Sequence, residues 1–261
     1  MTGTQANTGR TLIALAVVVL MTILIWRLGV FIHGVAPEAF ARADHLAYAL
    51  ILTAGALAMI AVVLRLERNT WGSIGLVSPV KGLGQGTAWW LVPAGVGLMG
   101  AVLMGWGQIS LIPGPADAAL KFAALIALVF LSEALPEELI FRGYLQSRLT
   151  GVVGAWGGVL IQAALFTGFA VLIGAAPDLM QAGFIAAFGV ALGVLRAAMG
   201  TVWAPIGFHL VFMTVQQSHG AGWDLVALSL PEMTRMLVLA QIPFGVVIAL
   251  LFNRVGRERT A

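Results

Sequence analysis

The 261-residue chain has no cysteine. Disulfides and cysteine-ligated zinc are therefore excluded, and the redox compartment is left open. Charge is nearly as scarce. Asp, Glu, Lys and Arg make up 10% of the residues, against about a quarter in soluble domains. So few charges cannot coat a water-facing surface of this size. Sustained strand-like alternation is also missing. What is present is apolar: 60% of the residues are hydrophobic, gathered in long runs. The pattern describes an integral membrane protein whose first partner is the lipid bilayer, and no nucleic-acid partner is expected. A helix satisfies its own backbone polar groups in lipid, so the expected fold is all-α.

A spanning helix needs about 20 mostly apolar residues. Eight segments qualify, at 11–33, 46–64, 88–112, 120–142, 154–175, 183–199, 202–218 and 235–252. The sixth and seventh are short and run close together. The first, "TLIALAVVVLMTILIW" after Arg10, has the basic start and apolar centre of a signal peptide. "RLGVFIHG" follows it instead of a small-x-small cleavage site, so it reads as a retained span. Residues 1–261 form a single membrane domain without an internal repeat or a long linker. Small residues recur at helix-contact spacing in "GVVGAWGG" and at Gly189 and Gly193, which lets helices approach closely.

Lys and Arg stay on the cytoplasmic side. With eight spans, one side collects Arg10, Arg65, Arg68, Lys81, Arg148, Arg196, Arg254, Arg257 and Arg259. The other has Arg42, Lys121 and Arg235, with Glu38, Asp44, Asp117, Asp178, Asp224 and Glu232. Both termini are expected in the cytoplasm. The basic tail "NRVGRERTA" reads as an orientation anchor.

The ionisable residues inside apolar segments call for explanation, because such groups are costly at membrane depth. Glu133, Glu137, Glu138 and Arg142 form the densest group, in "SEALPEELIFRG". Glu138 and Arg142 are i and i+4, in the favourable order for a pair. Glu133 and Glu137 are also one turn apart. Pro136 removes a backbone donor, so a kink is expected just before Glu137. An internal ion pair with a merely solvated Glu137 explains these residues about as well as a site does. His209 lies in an apolar segment after Pro205, and a packing histidine is its bland alternative. Gln216, seven residues on, shares its face. His33, His45 and His219 fall at expected span ends.

"EELIFRG" resembles the Glu-Glu-x-x-x-Arg motif of the CAAX-protease and bacteriocin-processing (CPBP) family, eight-span intramembrane endopeptidases related to CAAX prenyl protease 2. "SIGL" (Ser73 to Leu76) is similar to the segment that precedes the family's third span. "APIGFHLVFM" is similar to its third motif through Pro205, Gly207 and His209. The resemblance implies that Glu137 activates water, that Glu138 and Arg142 orient it, and that His209 is an oxyanion donor. It further implies a membrane-associated peptide or protein substrate, a plasma (inner) membrane of a bacterium, and a site open to the cytoplasmic leaflet.

Two positions depart from the family pattern. Ala170 stands where the second motif has histidine, after Phe166, and Met213 stands where the third has asparagine. General acid–base help contributes about 10²–10⁴ in rate and an oxyanion donor about 10²–10³. Glu133, Gln216 and Thr167 are candidate replacements by helical spacing. The alternative is a non-catalytic membrane protein of the same fold that binds a peptide, a lipid or a partner membrane protein. No cofactor is expected. A divalent metal such as zinc is the less favoured alternative, because adjacent glutamates on a helix point about 100° apart and both cannot easily hold one ion.

Overall fold

The computed structural model describes residues 2–33, 42–112, 114–220 and 222–256. Glu38, Arg257 and Arg259, and the side chains of His33, Arg42, Asp44 and His45, lie outside the described residues. The helices in chain order are α1 (Thr2–His33), α2 (Arg42–Leu66), α3 (Pro79–Leu103), α4 (Pro115–Val129), α5 (Leu135–Glu138), α6 (Gln146–Ile173), α7 (Leu179–Met199), α8 (Trp203–Ser218), α9 (Glu232–Met236) and α10 (Ile242–Leu251). Two three-residue strands, β1 (Ile109–Leu111) and β2 (Val226–Leu228), pair antiparallel with Ile109 opposite Leu228. They tie the loop after α3 to the loop after α8, a contact the sequence pattern did not reveal because each strand is so short.

Among the described residues, six stretches are long and apolar enough to cross a membrane: Gly9–Gly29, Leu46–Leu66, Trp71–Leu103, Ala116–Ile173, Leu179–Met199 and Glu232–Arg254. The fold is an all-α polytopic bundle. Ala116–Ile173 has 58 residues, roughly 87 Å of helix, against a hydrocarbon core of about 30 Å. It breaks at Gly154, whose φ of 78° and ψ of 172° reverse the chain without a Cβ in the way. Large apolar side chains such as Leu20, Val96, Leu103 and Leu160 face outward, as lipid contact requires.

The third helix starts at Pro79 instead of 88 and ends at Leu103 instead of 112. "VKGLGQG" reads as a loop from its glycines, but Gly82 and Gly86 serve packing. A Cβ on Gly86 would stand 1.8 Å from the Ala204 carbonyl oxygen, and one on Gly207 2.4 Å from that of Leu83. The backbones of α3 and α8 thus touch, and small residues are what let them. α6 and α7 are joined differently. Gln146 Nε2 donates to the Gly193 carbonyl at 2.8 Å, and Gln162 Nε2 to that of Gly189 at 2.9 Å.

At the end of the bundle where α2 stops, Glu67 accepts from Tyr144 Oη at 2.5 Å and from Arg148 Nη2 at 2.6 Å. Burial would raise the Glu67 carboxyl, but these hydrogen bonds outweigh it and hold it below the ordinary carboxylate value. A depressed folded value means a stability contribution that is present above the unfolded pKa and lost as pH falls through the folded one. Acidification below about pH 4 is therefore expected to loosen this end. Glu67→Gln should flatten the acid limb of a thermal-stability profile measured in detergent.

Candidate active site

α4 does not run smoothly into α6. Wide π-type turns at Phe130–Ala134 and Leu139–Leu145 flank the short α5 that carries Pro136. Proline lacks the donor an α-helix needs there, and the wide turns absorb the mismatch. The disturbance expected at Pro136 takes this form. It gives Glu137 and Glu138, neighbours in sequence, different surroundings.

Glu138 is fully buried. Its Oε1 accepts from Arg142 Nη1 at 2.8 Å and lies 2.9 Å from His209 Nδ1. The Arg142 guanidinium, also fully buried, sits 4.3 Å above the Phe166 ring. An ionised carboxylate only accepts, so the hydrogen on His209 belongs to Nδ1. Nε2 is then an acceptor, and a donor there requires the doubly protonated ring. The Phe188 ring stands edge-on to the imidazole at 5.0 Å. Glu138→Ala would leave a buried guanidinium without its counter-charge, which costs about 3–5 kcal/mol. The variant is expected to unfold at markedly lower temperature in detergent, and Glu138→Gln, which keeps an acceptor, at an intermediate one.

Glu137 faces a cavity of about 550 Å³ instead. Glu133, His209 and Gln216 line the same cavity, and so do Ala170 and Met213. Glu133 Oε1 accepts from Gln217 Nε2 at 2.7 Å. Tyr48 and Ser132 add hydroxyls to the wall, and Trp26, Phe184 and Phe188 supply apolar surface. Sequence reasoning missed Gln217 and Tyr48, whose nearness to Glu133 depends on contacts between distant helices, and also Ser132, its neighbour in the chain. Thr167 is absent from the wall, and its hydroxyl donates to the Ala163 carbonyl one turn back. The expected replacement at the Ala170 position does not come from there. Gln162 also points elsewhere, at Gly189 and Val159. Among the described residues no group of three or more His, Cys, Asp or Glu side chains is arranged to hold a metal ion.

The cavity runs in an unexpected direction. Its lining residues sit on the last turns of α6 (Ile173, with Ala175 beyond), the first turns of α7 (Gln181, Phe184) and the last turns of α8 (Gln216). That end is opposite Arg65, Arg148 and Arg196. Toward the basic end, Leu139–Leu145 is wholly buried and closes the path. The cavity thus lies toward the end of the bundle away from the basic loops, whereas the expected opening was beside them. The wide turns and the sealed Glu138–Arg142–His209 group make a floor on that side.

Residues 119–215 match the family model described as Type II CAAX prenyl endopeptidase Rce1-like. The matched segment runs from α4 to α8 and so contains every side chain of the carboxylate–histidine group. No curated protein and no solved structure matches the chain.

Proposed function

We propose, for a chain whose residues 119–215 match the Rce1-like family model, that it is an intramembrane endopeptidase of the CAAX-protease kind in which Glu137 activates water against a membrane-associated peptide. The carrying observation is the division of labour between adjacent acids. Glu138 is spent on Arg142 and His209, whereas Glu137 shares a cavity with Glu133 and His209. The Glu137 carboxylate takes a proton from water, and the resulting hydroxide adds to the scissile carbonyl carbon. The tetrahedral adduct then breaks its C–N bond, and the departing amine takes the proton back from Glu137. His209 Nε2, left as an acceptor, orients the water in place of the family's second-motif histidine. Glu133, one turn from Glu137 on the same cavity wall, serves as a second proton carrier.

A second reading rests on Ala170 and Met213, which line the cavity where the family pattern has histidine and asparagine. In that reading the pocket binds a peptide without cutting it. Reconstitution into liposomes with membrane-anchored peptides separates the two. Hydrolysis in heavy-oxygen water places one heavy oxygen in the new carboxyl terminus. Saturable binding with intact peptide establishes the second reading and rejects the first.

A further inference from the structure

A second cavity, of about 260 Å³, adjoins the first and shares Gln181, Phe184 and Gln216 with it. Its other walls include His219, Glu232 and Arg235. His219 follows the last residue of α8, and Glu232 and Arg235 lie on α9, so this cavity belongs to the loop end of the bundle. Gln181 is exposed and Phe188 is buried. They are seven residues apart on α7, about 10 Å along its axis, a depth that about three residues of extended chain cross.

Charge then identifies the side. Among the described residues, Arg65, Arg68, Lys81, Arg148, Arg196 and Arg254 cap the opposite end. The mouth end has Arg27, which donates to the Leu172 carbonyl in the last turn of α6, with Lys121 and Arg235, accompanied by Asp117, Asp178, Asp224 and Glu232. Lys and Arg mark the cytoplasmic side. We infer that the two cavities form one path from the extracytoplasmic face, with the smaller as its vestibule, and that it admits an extended segment of an exported or membrane-anchored polypeptide.

This rests on the peptide-cutting or peptide-binding reading of the cavity, and it changes the substrate class that reading implies. A tail presented in the cytoplasm would meet the sealed floor. Among the described residues, the main cavity is lined by Glu133 and Glu137 and by no lysine or arginine. A neutral or basic segment is therefore favoured over an acidic one by simple charge complementarity.

The natural absence of cysteine makes sidedness directly measurable. Three single-cysteine variants suffice: Gln181→Cys at the mouth, Met213→Cys on the cavity wall, and Val80→Cys, exposed at the basic end. Ala175→Cys, also exposed at the mouth, substitutes for Gln181→Cys if that variant misfolds. A membrane-impermeant maleimide is expected to label the mouth cysteine in intact cells and the Val80→Cys cysteine only in inverted vesicles. A small charged methanethiosulfonate should reach Met213→Cys from the outside, and Phe184→Trp at the shared neck should suppress that reaction. Mouth labelling confined to inverted vesicles would overturn the assignment, as would a mouth cysteine labelled from outside with Met213→Cys inert from both sides. Labelling needs no turnover. A protein that labels as expected yet neither cuts nor binds peptide refutes the reading of the site and leaves the path standing.

Discussion

Glu137→Ala is expected to lower peptide cleavage by about 10²–10⁴-fold or more, the usual contribution of a positioned proton acceptor, and to leave the thermal transition in detergent nearly unchanged. Both halves follow from where the side chain lies. It borders a cavity, so truncation enlarges an existing space, and the buried Arg142 keeps its bond to Glu138. The substitution also relieves the repulsion between two carboxylates one turn apart. Glu138→Ala makes the instructive contrast, because it strands Arg142 and costs fold before it can report on chemistry. Cleavage that is equal in wild type and Glu137→Ala would remove Glu137 from the mechanism. Peptide binding that survives the substitution is expected, since apolar residues supply most of the wall.

Introducing the two side chains that the family pattern has at positions 170 and 213 should act in the opposite direction. Ala170→His places an imidazole on the wall that Glu137 faces, and Met213→Asn places an amide donor on the same wall. A general acid–base group contributes about 10²–10⁴ and an oxyanion donor about 10²–10³. Groups acting on one transition state are not additive, so the double variant is expected to gain less than their product. Overpacking usually limits such insertions, but here the new atoms enter a cavity of about 550 Å³. Met213→Asn loses apolar packing against the cluster of Leu125, Val129 and Leu225, so thermal stability should be followed beside rate. A rise in kcat with little change in KM supports hydrolysis through Glu137. No rise in either single variant, in protein that remains folded, favours the peptide-binding reading.

The charge pattern and the apolar runs carried the class of fold, because lipid leaves a chain few ways to satisfy its backbone. The acid–arginine pair was legible for the same kind of reason: Glu138 and Arg142 are local neighbours on one helix. Partners from distant helices were not legible. His209 reaches Glu138 across 71 positions and Gln217 reaches Glu133 across 84, and neither pairing has a local signature. Sequence spacing offered Thr167 as a donor, but its hydroxyl satisfies its own helix, a competition that spacing alone does not resolve. The start of α3 was obscured by Gly82, Gly84 and Gly86, since glycine marks both turns and close helix crossings. The direction of the cavity depended on which helix ends splay, a property of packing and not of any single segment.

The whole account turns on two adjacent glutamates having different access to water. A water-soluble carbodiimide with an amine nucleophile, followed by peptide mass spectrometry, measures that access residue by residue. In folded protein in liposomes the account predicts modification of Glu137 and none of Glu138, with Glu138 becoming reactive once the protein is denatured. Equal modification of both in the folded state, or protection of Glu137 beside a reactive Glu138, would contradict it.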